Sequence, residues 1–438
     1  MKITLDYGKT GLQVEMPDKN VIGVLSLTPA PPLIDPAQAI RACLEAPIGA
    51  RPLRELAEGR RSACIVVCDI TRPVPNALVL PPVIETLQAA GIAAHEVTIL
   101  IATGTHRPNF GPELVTILGE EVPALGCQVV NHVCDDPDTH RSLGTTPNGV
   151  PVALDTRYLD ADLKITCGLI EPHFMAGYSG GRKMVMPGIA ALHTIQAWHS
   201  PRFLEHPSAA NGITAGNPVH EENTFIAQLA PPDLIVDVVL DTDRSITGVF
   251  AGGMIEAWEA GVAFARQHVR AALPELADIV VTSSAGWPLD LTYYQTIKGM
   301  VGALPVVKPG GTIIIASACA EGIGGPDFTR TLFETENLET LMARMQEPDW
   351  RPVPDQWQIE ELAKAVRSNT VVCVTDGIPA ETLSKLFVTP APSVEAAVAS
   401  ALAVHGEDAK IAVIPKGPYV LPFVSSQHPM TGNTNGRN

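Results

Sequence analysis

The chain has 438 residues and a formal net charge of −17, with 46% apolar and 18% charged residues. This length is enough for two or three domains, and no run of about 18 uninterrupted apolar residues offers a membrane span. The excess of acidic residues disfavours binding to nucleic acid or to an anionic membrane surface.

A regular alternation of strands and helices is predicted from residue 62 onward, after a less regular N-terminal region. The predicted elements of the first part are strands at 2–7, 12–15 and 21–27, a helix at 37–44, a strand at 62–68, a helix at 82–90, a strand at 96–102, a helix at 111–118, strands at 127–131 and 163–167, and a helix at 256–272. A second series has a strand at 278–282, a helix at 294–304 and strands at 311–317, 370–375 and 409–415. Apolar runs that alternate with helices are typical of parallel sheets covered on both faces.

The pattern predicts two Rossmann-like α/β domains with parallel-rich sheets. Leu273-Pro274 interrupts the helical pattern and sets the boundary. The N-terminal domain then covers 1–272, and the C-terminal domain covers 278–424, with its last segment able to pack back on the first domain. A cleft between two such domains is the expected active site. Residues 425–438 are polar and rich in Gly and Asn, so we expect a flexible tail.

The N-terminus and the cysteines predict the cellular compartment. The first six residues have neither the basic nor the apolar region of a secretory signal. None of the eight cysteines forms a C-x-x-C pair, and several lie in apolar runs. Buried thiols explain them better than a zinc finger or a disulfide framework does. We therefore expect a cytoplasmic protein.

Polar motifs follow two of the predicted strands, at the position where open α/β sheets bind ligands. The first is Asp69-Ile70-Thr71-Arg72-Pro73, whose carboxylate, hydroxyl and guanidinium suit a phosphate or carboxylate ligand. A helix cap with a surface ion pair explains this segment equally well. The second is Gly104-Thr105-His106-Arg107, and adjacent strand ends would bring His106 into the same crevice. A single histidine in this place is more often structural than catalytic.

Residues 168–183 form the richest stretch of polar residues and glycines. The strand at 163–167 leads into Glu171-Pro172-His173 and then into a segment ending in Gly180-Gly181-Arg182-Lys183. Glycines let a backbone approach a ligand closely. The stretch is not a P-loop, and no G-x-G-x-x-G follows the first strand, which argues against an ordinary NAD site. Lys183 is either a solvated charge or a covalently modified residue.

Two further segments carry candidate side chains. His199 follows Trp198, and a neutral imidazole is a common nickel or zinc ligand. A helix-end histidine beside a tryptophan is the alternative, and no motif supplies further protein ligands for a metal. In the helix predicted at 294–304, Tyr294 and Gln295 share a face with Lys298, which suits an anion. A snorkelling lysine near a helix start is the alternative there.

Together these motifs resemble the nickel-pincer nucleotide-dependent lactate racemase family of 2-hydroxy acid racemases and epimerases. Five segments occur in the family's order, namely Asp69–Pro73, Gly104–Arg107, Glu171–Lys183, Trp198–His199 and Tyr294–Gly299. Each motif is weak alone, but their shared order is specific, and no core motif position departs from the family pattern. The length and the two-domain pattern agree over most of the rest of the chain.

The resemblance implies an isomerase with a nickel-pincer nucleotide, a pyridinium-3,5-bisthiocarboxylate-type mononucleotide attached covalently at Lys183. His199 would complete the nickel coordination, and His106 and His173 would be the catalytic acid and base. The residues implied near the cofactor are Asp69, Thr71, Arg72, Pro73, Gly177, Gly180 and Gly181. The residues implied at the substrate carboxylate are Arg72, Tyr294, Gln295 and Lys298, with Arg72, Gln295 and Lys298 also counted as catalytic.

The implied reaction is racemisation or C2 epimerisation of a small, lactate-like 2-hydroxy acid by reversible hydride transfer through a planar 2-oxo acid. Two bases are needed, because each enantiomer presents its hydroxyl to a different side. Cofactor-biosynthesis proteins are then expected partners in the cell, while the oligomeric state is left open.

Three alternatives stay open at this point. The first is the same chemistry on malate or a longer 2-hydroxy acid. Malate would need one more cation, and Arg107 and Arg182 already belong to the shared motifs. The second is a nucleotide-binding or nickel-cofactor-binding protein without racemase activity, and the third is a nicotinamide dehydrogenase.

Overall fold

The computed structural model describes residues 1–347 and 349–425. The strands are β1 (Lys2–Leu5), β2 (Leu12–Glu15), β3 (Val21–Val24), β4 (Ala63–Cys68), β5 (Val97–Ala102), β6 (Gln128–Asn131), β7 (His140–Thr145), β8 (Pro151–Asp155), β9 (Leu163–Leu169), β10 (Pro172–His173), β11 (Gly177–Tyr178), β12 (Leu234–Leu240), β13 (Ile246–Gly252), β14 (Arg270–Leu273), β15 (Ala277–Ser283), β16 (Val307–Ala316), β17 (Thr370–Val374), β18 (Thr389–Pro390), β19 (Ile411–Ile414) and β20 (Leu421–Val424). The α-helices are α1 (Pro36–Glu45), α2 (Leu53–Ala57), α3 (Asn76–Ala89), α4 (Pro112–Leu118), α5 (Thr156–Leu159), α6 (Leu192–Trp198), α7 (Pro201–Leu204), α8 (Pro218–Gln228), α9 (Glu256–Val269), α10 (Tyr293–Ala303), α11 (Pro326–Glu334), α12 (Leu338–Arg344), α13 (Gln356–Arg367), α14 (Ala380–Leu383) and α15 (Val394–His405). The predicted tail at 425–438 lies outside the described residues from 426 onward.

The described residues form two compact units. The large unit contains residues 29–268 and 345–354, and the split unit contains residues 1–28, 269–344 and the described residues from 355 onward. This division differs from the predicted domains, because β3 pairs in parallel with β19 and places the N-terminal residues in the second sheet. The last described strand also differs from the expected return to the first domain, since β20 pairs with β14 inside the split unit.

The sheet of the large unit has the strand order β13-β12-β9-β4-β5-β6. Its neighbours are parallel except for the edge pair of β12 and β13. Every residue of β4 is buried, as expected for a central parallel strand covered on both faces. The carboxyl ends of β5, β4 and β9 therefore lie side by side at one edge, which is where the predicted site segments begin.

The sheet of the split unit has the order β18-β17-β16-β15-β19-β3 and is parallel throughout. Leu5 and Val14 of the β1–β2 hairpin share one buried cluster with Ile279, Val281 and Ile314. Burial of this apolar surface explains why the N-terminal residues belong to the second sheet. The predicted fold class of two Rossmann-like α/β domains with parallel-rich sheets is confirmed.

Two helices differ from the sequence prediction. Helix α3 begins at Asn76, before the predicted start at Pro82, so that Pro81 and Pro82 both lie inside the helix. The sequence also predicts that a long helix continues to 272, whereas α9 ends at Val269 and the next residues form β14. That strand depends on pairing with β20, which no local pattern reveals.

Within the described ranges, none of the helices combines the length and the hydropathy that a bilayer crossing requires.

Candidate functional site

Three segments of the large unit meet at the carboxyl edge of its sheet. They follow β4, β5 and β9. His106 Nδ1 lies 2.7 Å from Asp69 Oδ2, and Arg72 Nη1 lies 2.8 Å from Glu171 Oε1. The segments that the sequence singled out are therefore in contact through charged and titratable side chains.

Asp69 orients His106. Thr71 Oγ1 donates to Asp69 Oδ1 over 2.6 Å, so both carboxylate oxygens are engaged. Burial acts to raise the pKa of Asp69, but the charges and hydrogen bonds of His106, Thr71 and Arg72 outweigh it and lower that pKa. An ionised carboxylate accepts the Nδ1 proton of His106, which leaves Nε2 of the neutral ring as an acceptor. With its side chain 41% exposed, His106 is placed to take a proton from a ligand.

His173 is held in the opposite tautomer. It lies on the β10–β11 hairpin, and its Nδ1 accepts the backbone N–H groups of Ala176 at 3.2 Å and Met175 at 3.4 Å. Its ring stacks on Phe174 with the centroids 4.9 Å apart. The neutral ring then carries its proton on Nε2. His173 therefore presents a donor where His106 presents an acceptor.

Arg72 and Glu171 form a half-buried ion pair, with side-chain exposures of 21% and 12%. Two hydrogen bonds to Ser179 hold the backbone of Glu171. The Glu171 N–H donates to Ser179 Oγ over 3.0 Å, and the Ser179 N–H donates to Glu171 O over 2.9 Å. The ion pair of the alternative interpretation thus exists, but it links two strand ends rather than lying on the outer surface.

The glycines of residues 177–181 are explained by packing against the protein. Gly177 has φ +77°, and a Cβ there would lie 2.3 Å from Ile213 O. A Cβ on Gly180 would lie 2.7 Å from Asp237 Oδ2, and one on Gly181 would lie 2.9 Å from Trp258. The close approach of these glycines to a cofactor stays a prediction, since the contacts described above are with other residues of the chain.

Three side chains behind this loop hold it in place. Asp237 on β12 accepts the Gly181 N–H over 2.7 Å, and Trp258 Nε1 donates to Ser179 O over 2.8 Å. Arg182 is 1% exposed, its Cζ lies 3.8 Å from the centre of the Trp258 ring, and its Nη2 donates to Tyr178 O. Burial raises the pKa of Asp237 above its usual range. Asp237 and Trp258 were missed by the sequence analysis, although a single carboxylate inside the apolar run of β12 was a usable signal.

Lys183 and His199 both lie against Trp198. Lys183 Nζ is 5.2 Å from the Trp198 ring centroid, and the His199 ring centroid is 4.2 Å from it. Burial, and then the charge of Lys183, lower the pKa of His199 well below its usual range. His199 is therefore neutral, which is the form that binds a metal ion.

In the part of the chain that the structure describes, no group of three or more His, Cys, Asp or Glu side chains is arranged to hold a metal ion. A metal bound at His199 would then need most of its ligands from a bound cofactor. Such a cofactor could be anchored at Lys183, because the amine and the imidazole lie against the same indole. The positions of Lys183 and His199 are therefore compatible with an organic group that brings its own metal ligands.

The remaining predicted site residues lie on α10 of the split unit. Thr292 caps this helix by accepting the Gln295 N–H. Lys298 lies three residues after Gln295 and four after Tyr294 in the same helix, so it shares a helical face with both, as predicted. The Tyr294 hydroxyl accepts a hydrogen bond from Trp357 Nε1 over 2.9 Å. That bond gives Tyr294 a structural part within its own unit, and its predicted contact with substrate stays a prediction.

A buried histidine supports the segment that carries His106. Thr103 Oγ1 donates to His132 O over 2.7 Å and lies 3.1 Å from His132 Nδ1, while His140 Nε2 lies 3.0 Å from His132 Nε2. Burial, then the nearby His140 and Arg157, lower the pKa of His132 from 6.5 to about 3. His132 is therefore neutral in the folded protein at any pH well above about 3.

We expect acid to destabilise the protein through His132. Its folded pKa is lowered, so its contribution is complete above pH 6.5 and is lost as the pH falls toward 3. The free energy of unfolding should fall by about 1.4 kcal/mol per pH unit for this one proton. Urea unfolding on both sides of pH 6.5 measures the slope. His132→Gln should flatten it, whereas the exposed His95→Gln should leave it unchanged, and equal slopes in all three proteins would contradict the assignment.

Two family models match the chain. The model described as "Lactate racemase N-terminal domain" matches residues 7–212, and the model described as "Lactate racemase C-terminal domain" matches residues 273–421. The second match begins at the predicted boundary, and the two together span most of both sheets.

Individual proteins are similar over nearly the whole chain. The lactate racemase of Thermoanaerobacterium thermosaccharolyticum is 35% identical over 422 residues, which are 96% of this chain and 98% of that protein. The lactate racemase of Lactiplantibacillus plantarum is 34% identical over 423 residues, with 96% and 99% covered. The lactate racemase apoprotein structure from T. thermosaccharolyticum has a TM-score of 0.91 at 35% identity and covers 96% of this chain and 100% of that one. A Thermotoga maritima protein shares the fold, with a TM-score of 0.70 at 17% identity over 89% of this chain and 98% of its own.

Proposed function

Because the chain belongs to the lactate racemase family, we propose that it racemises or epimerises a small, lactate-like 2-hydroxy acid at C2. The observation that carries the proposal is the pair of histidines with opposite tautomers, His106 and His173. Inverting a carbon that bears a hydroxyl needs a proton acceptor for one enantiomer and a proton donor for the other. A binding protein has no need of such a pair.

The proposed cofactor is a nickel-pincer nucleotide, attached to Lys183 and with its nickel bound by His199. The position of both side chains against Trp198 and the neutral state of His199 support this assignment. When bound, the cofactor would supply an acceptor for the C2 hydrogen as hydride. His199 would add one imidazole to the ligands that such a group brings to Ni(II).

The proton steps follow from the two hydrogen-bond networks. His106 Nε2 accepts the hydroxyl proton of one enantiomer, and the ionised Asp69 stabilises the imidazolium that forms. The substrate becomes a planar 2-oxo acid, whose two faces are chemically equivalent. His173 is the proposed proton donor on the other face: its ring, protonated before that step, gives a proton to the carbonyl oxygen and is left neutral. Arg72 binds the carboxylate, so that the substrate keeps one pivot while it turns. The implied roles of Gln295 and Lys298 stay predictions.

A monocarboxylic substrate is favoured over malate. Arg107 is bound by both oxygens of Glu113, at 2.8 and 2.5 Å. Arg182 is buried under Trp258 and donates to backbone carbonyls. Neither arginine is presented to a second substrate carboxylate. Lactate is therefore the first substrate to test, and malate is the comparison.

The test is nickel content together with racemisation, in protein produced alongside a cofactor-making pathway. Elemental analysis should give about one nickel per chain for the wild type and a large loss for His199→Ala. Chiral chromatography should show D-lactate and L-lactate interconverting, faster than the enantiomers of malate. An established racemase loaded by the same pathway is the control.

Two results would overturn parts of this proposal. A wild type without nickel, when the control racemase is loaded, would remove the cofactor assignment. A nickel-loaded wild type that inverts none of a panel of 2-hydroxy acids would leave only a cofactor-binding protein.

A further inference from the structure

The ion pair between Arg72 and Glu171 joins the two strand ends that carry the candidate chemistry. Arg72 follows β4, and its N–H donates to Asp69 O over 3.2 Å. Glu171 follows β9, two residues before His173, and Ser179 bonds its backbone at both the N–H and the carbonyl. The carboxylate of Glu171 therefore projects from a well-braced part of the hairpin that carries His173.

Stability alone is a poor reason for this ion pair. Removing two charges from water costs free energy that their attraction returns only in part, so a half-buried pair adds little net stability. An exposed pair such as Arg41 and Glu85, at 2.7 Å, shows that the fold also makes Arg–Glu contacts where no chemistry is expected. The distinguishing property of the Arg72 pair is its location at the catalytic edge.

The chemistry of the guanidinium suggests what Glu171 does. An arginine side chain has a flexible stem and a planar group with five donors, so one bond to Glu171 does not exhaust it. A bond from Nη1 to a braced carboxylate restricts the plane of the group before a substrate arrives. A second carboxylate can then be gripped with less loss of side-chain entropy.

We propose that Glu171 is a positioning residue, which holds the Arg72 guanidinium in the orientation that receives the substrate carboxylate. The inference rests on the proposed function, because it takes Arg72 as the carboxylate ligand. Glu171 also links the orientation of Arg72 to that of His173, because Glu171 directly precedes the hairpin that carries His173. The pivot of the substrate and one of its proton carriers thus share a support.

Glu171→Ala and Glu171→Gln separate orientation from charge. Glutamine keeps an acceptor oxygen for Arg72, while alanine removes it. In the nickel-loaded enzyme, Glu171→Ala should raise KM for lactate and lower kcat/KM by roughly 10- to 100-fold, and Glu171→Gln should recover most of the loss. Glu85→Ala, which breaks the exposed pair, should match the wild type. Equal losses in the alanine and glutamine variants would overturn the proposal.

A double-mutant cycle asks whether Glu171 acts through Arg72. Arg72→Ala alone should weaken lactate turnover, and adding Glu171→Ala to it should cost nothing further. A further loss of the same size as in the single variant would overturn the proposal, because Glu171 would then act elsewhere.

Binding of propionate gives a readout that does not depend on turnover. Propionate keeps the carboxylate but has no C2 hydroxyl to react. Calorimetry on the loaded, folded protein should show weaker propionate binding in Glu171→Ala at unchanged nickel content. Wild-type affinity in that variant, or weaker affinity only alongside lost nickel, would overturn the proposal.

If the wild type racemises no 2-hydroxy acid, the proposed function fails; if it racemises lactate and Glu171→Ala behaves like it, only this inference fails.

Discussion

Replacing His106 with alanine is expected to lower kcat/KM for lactate racemisation by about 100- to 10,000-fold, which is the usual contribution of a positioned acid or base. The reason is the Asp69–His106 pair, which supplies an acceptor at Nε2 and a carboxylate to stabilise the resulting cation. His173→Ala should cause a loss of similar size, because the donor for the other enantiomer disappears. Nickel should stay bound in both variants.

The loss must be the same in both directions for each variant. D-lactate and L-lactate have equal free energies in solution, so any catalyst gives them equal values of kcat/KM. Initial rates from each pure enantiomer, followed by chiral chromatography, provide the check. His95→Ala removes an exposed histidine and serves as the control. Near-normal turnover in either site variant would remove that histidine from the mechanism.

Replacing Lys183 with arginine is expected to abolish both the covalent cofactor and the activity. An arginine keeps the positive charge beside Trp198 but has no amine to form the link. Mass spectrometry of the wild-type digest should show the cofactor mass on the Lys183 peptide, while the Lys164 peptide stays unmodified as an internal control. In Lys183→Arg, nickel should fall to background and lactate should keep its chirality.

The comparison with His199→Ala separates attachment from metal binding. His199→Ala should keep the added mass on Lys183 and lose nickel, because only the imidazole is removed. An unmodified Lys183 peptide in active wild-type protein would refute the covalent link. Full nickel in Lys183→Arg would show that attachment is not needed to hold the metal.

The positions of the site segments could be predicted from sequence, but their pairings could not. Buried strands that end in polar residues are visible in the pattern, and parallel strands place those ends at one edge. The contact of Asp69 with His106 depends on two neighbouring strands ending in register, which one sequence does not display. The partnership of Arg72 with Glu171 is hidden for the same reason, although both residues belonged to segments already singled out.

Pairing between strands that are distant in sequence also explains where the predicted fold was wrong. Residues 1–28 were expected in the first domain, because proximity along the chain is the only guide when a short strand has no strong pattern. The structure assigns them through β3 and the hairpin cluster. Residues 270–272 look helical locally and become strand only because β20 lies beside them. Asp237 was missed because its partner, the Gly181 N–H, comes from a distant loop.

The pairing of β3 with β19 has a consequence for synthesis on the ribosome. Val21 pairs with Ile411, so β3 cannot take its place in the sheet until β19 has been synthesised. The large unit meets a shorter delay, since its sheet uses strands between Ala63 and Gly252 and domains fold as they emerge. Trimming the N-terminus would leave the edge of β19 open to pairing with another chain. A proteolytic cut that removes β3 would therefore favour aggregation through the exposed edge of β19.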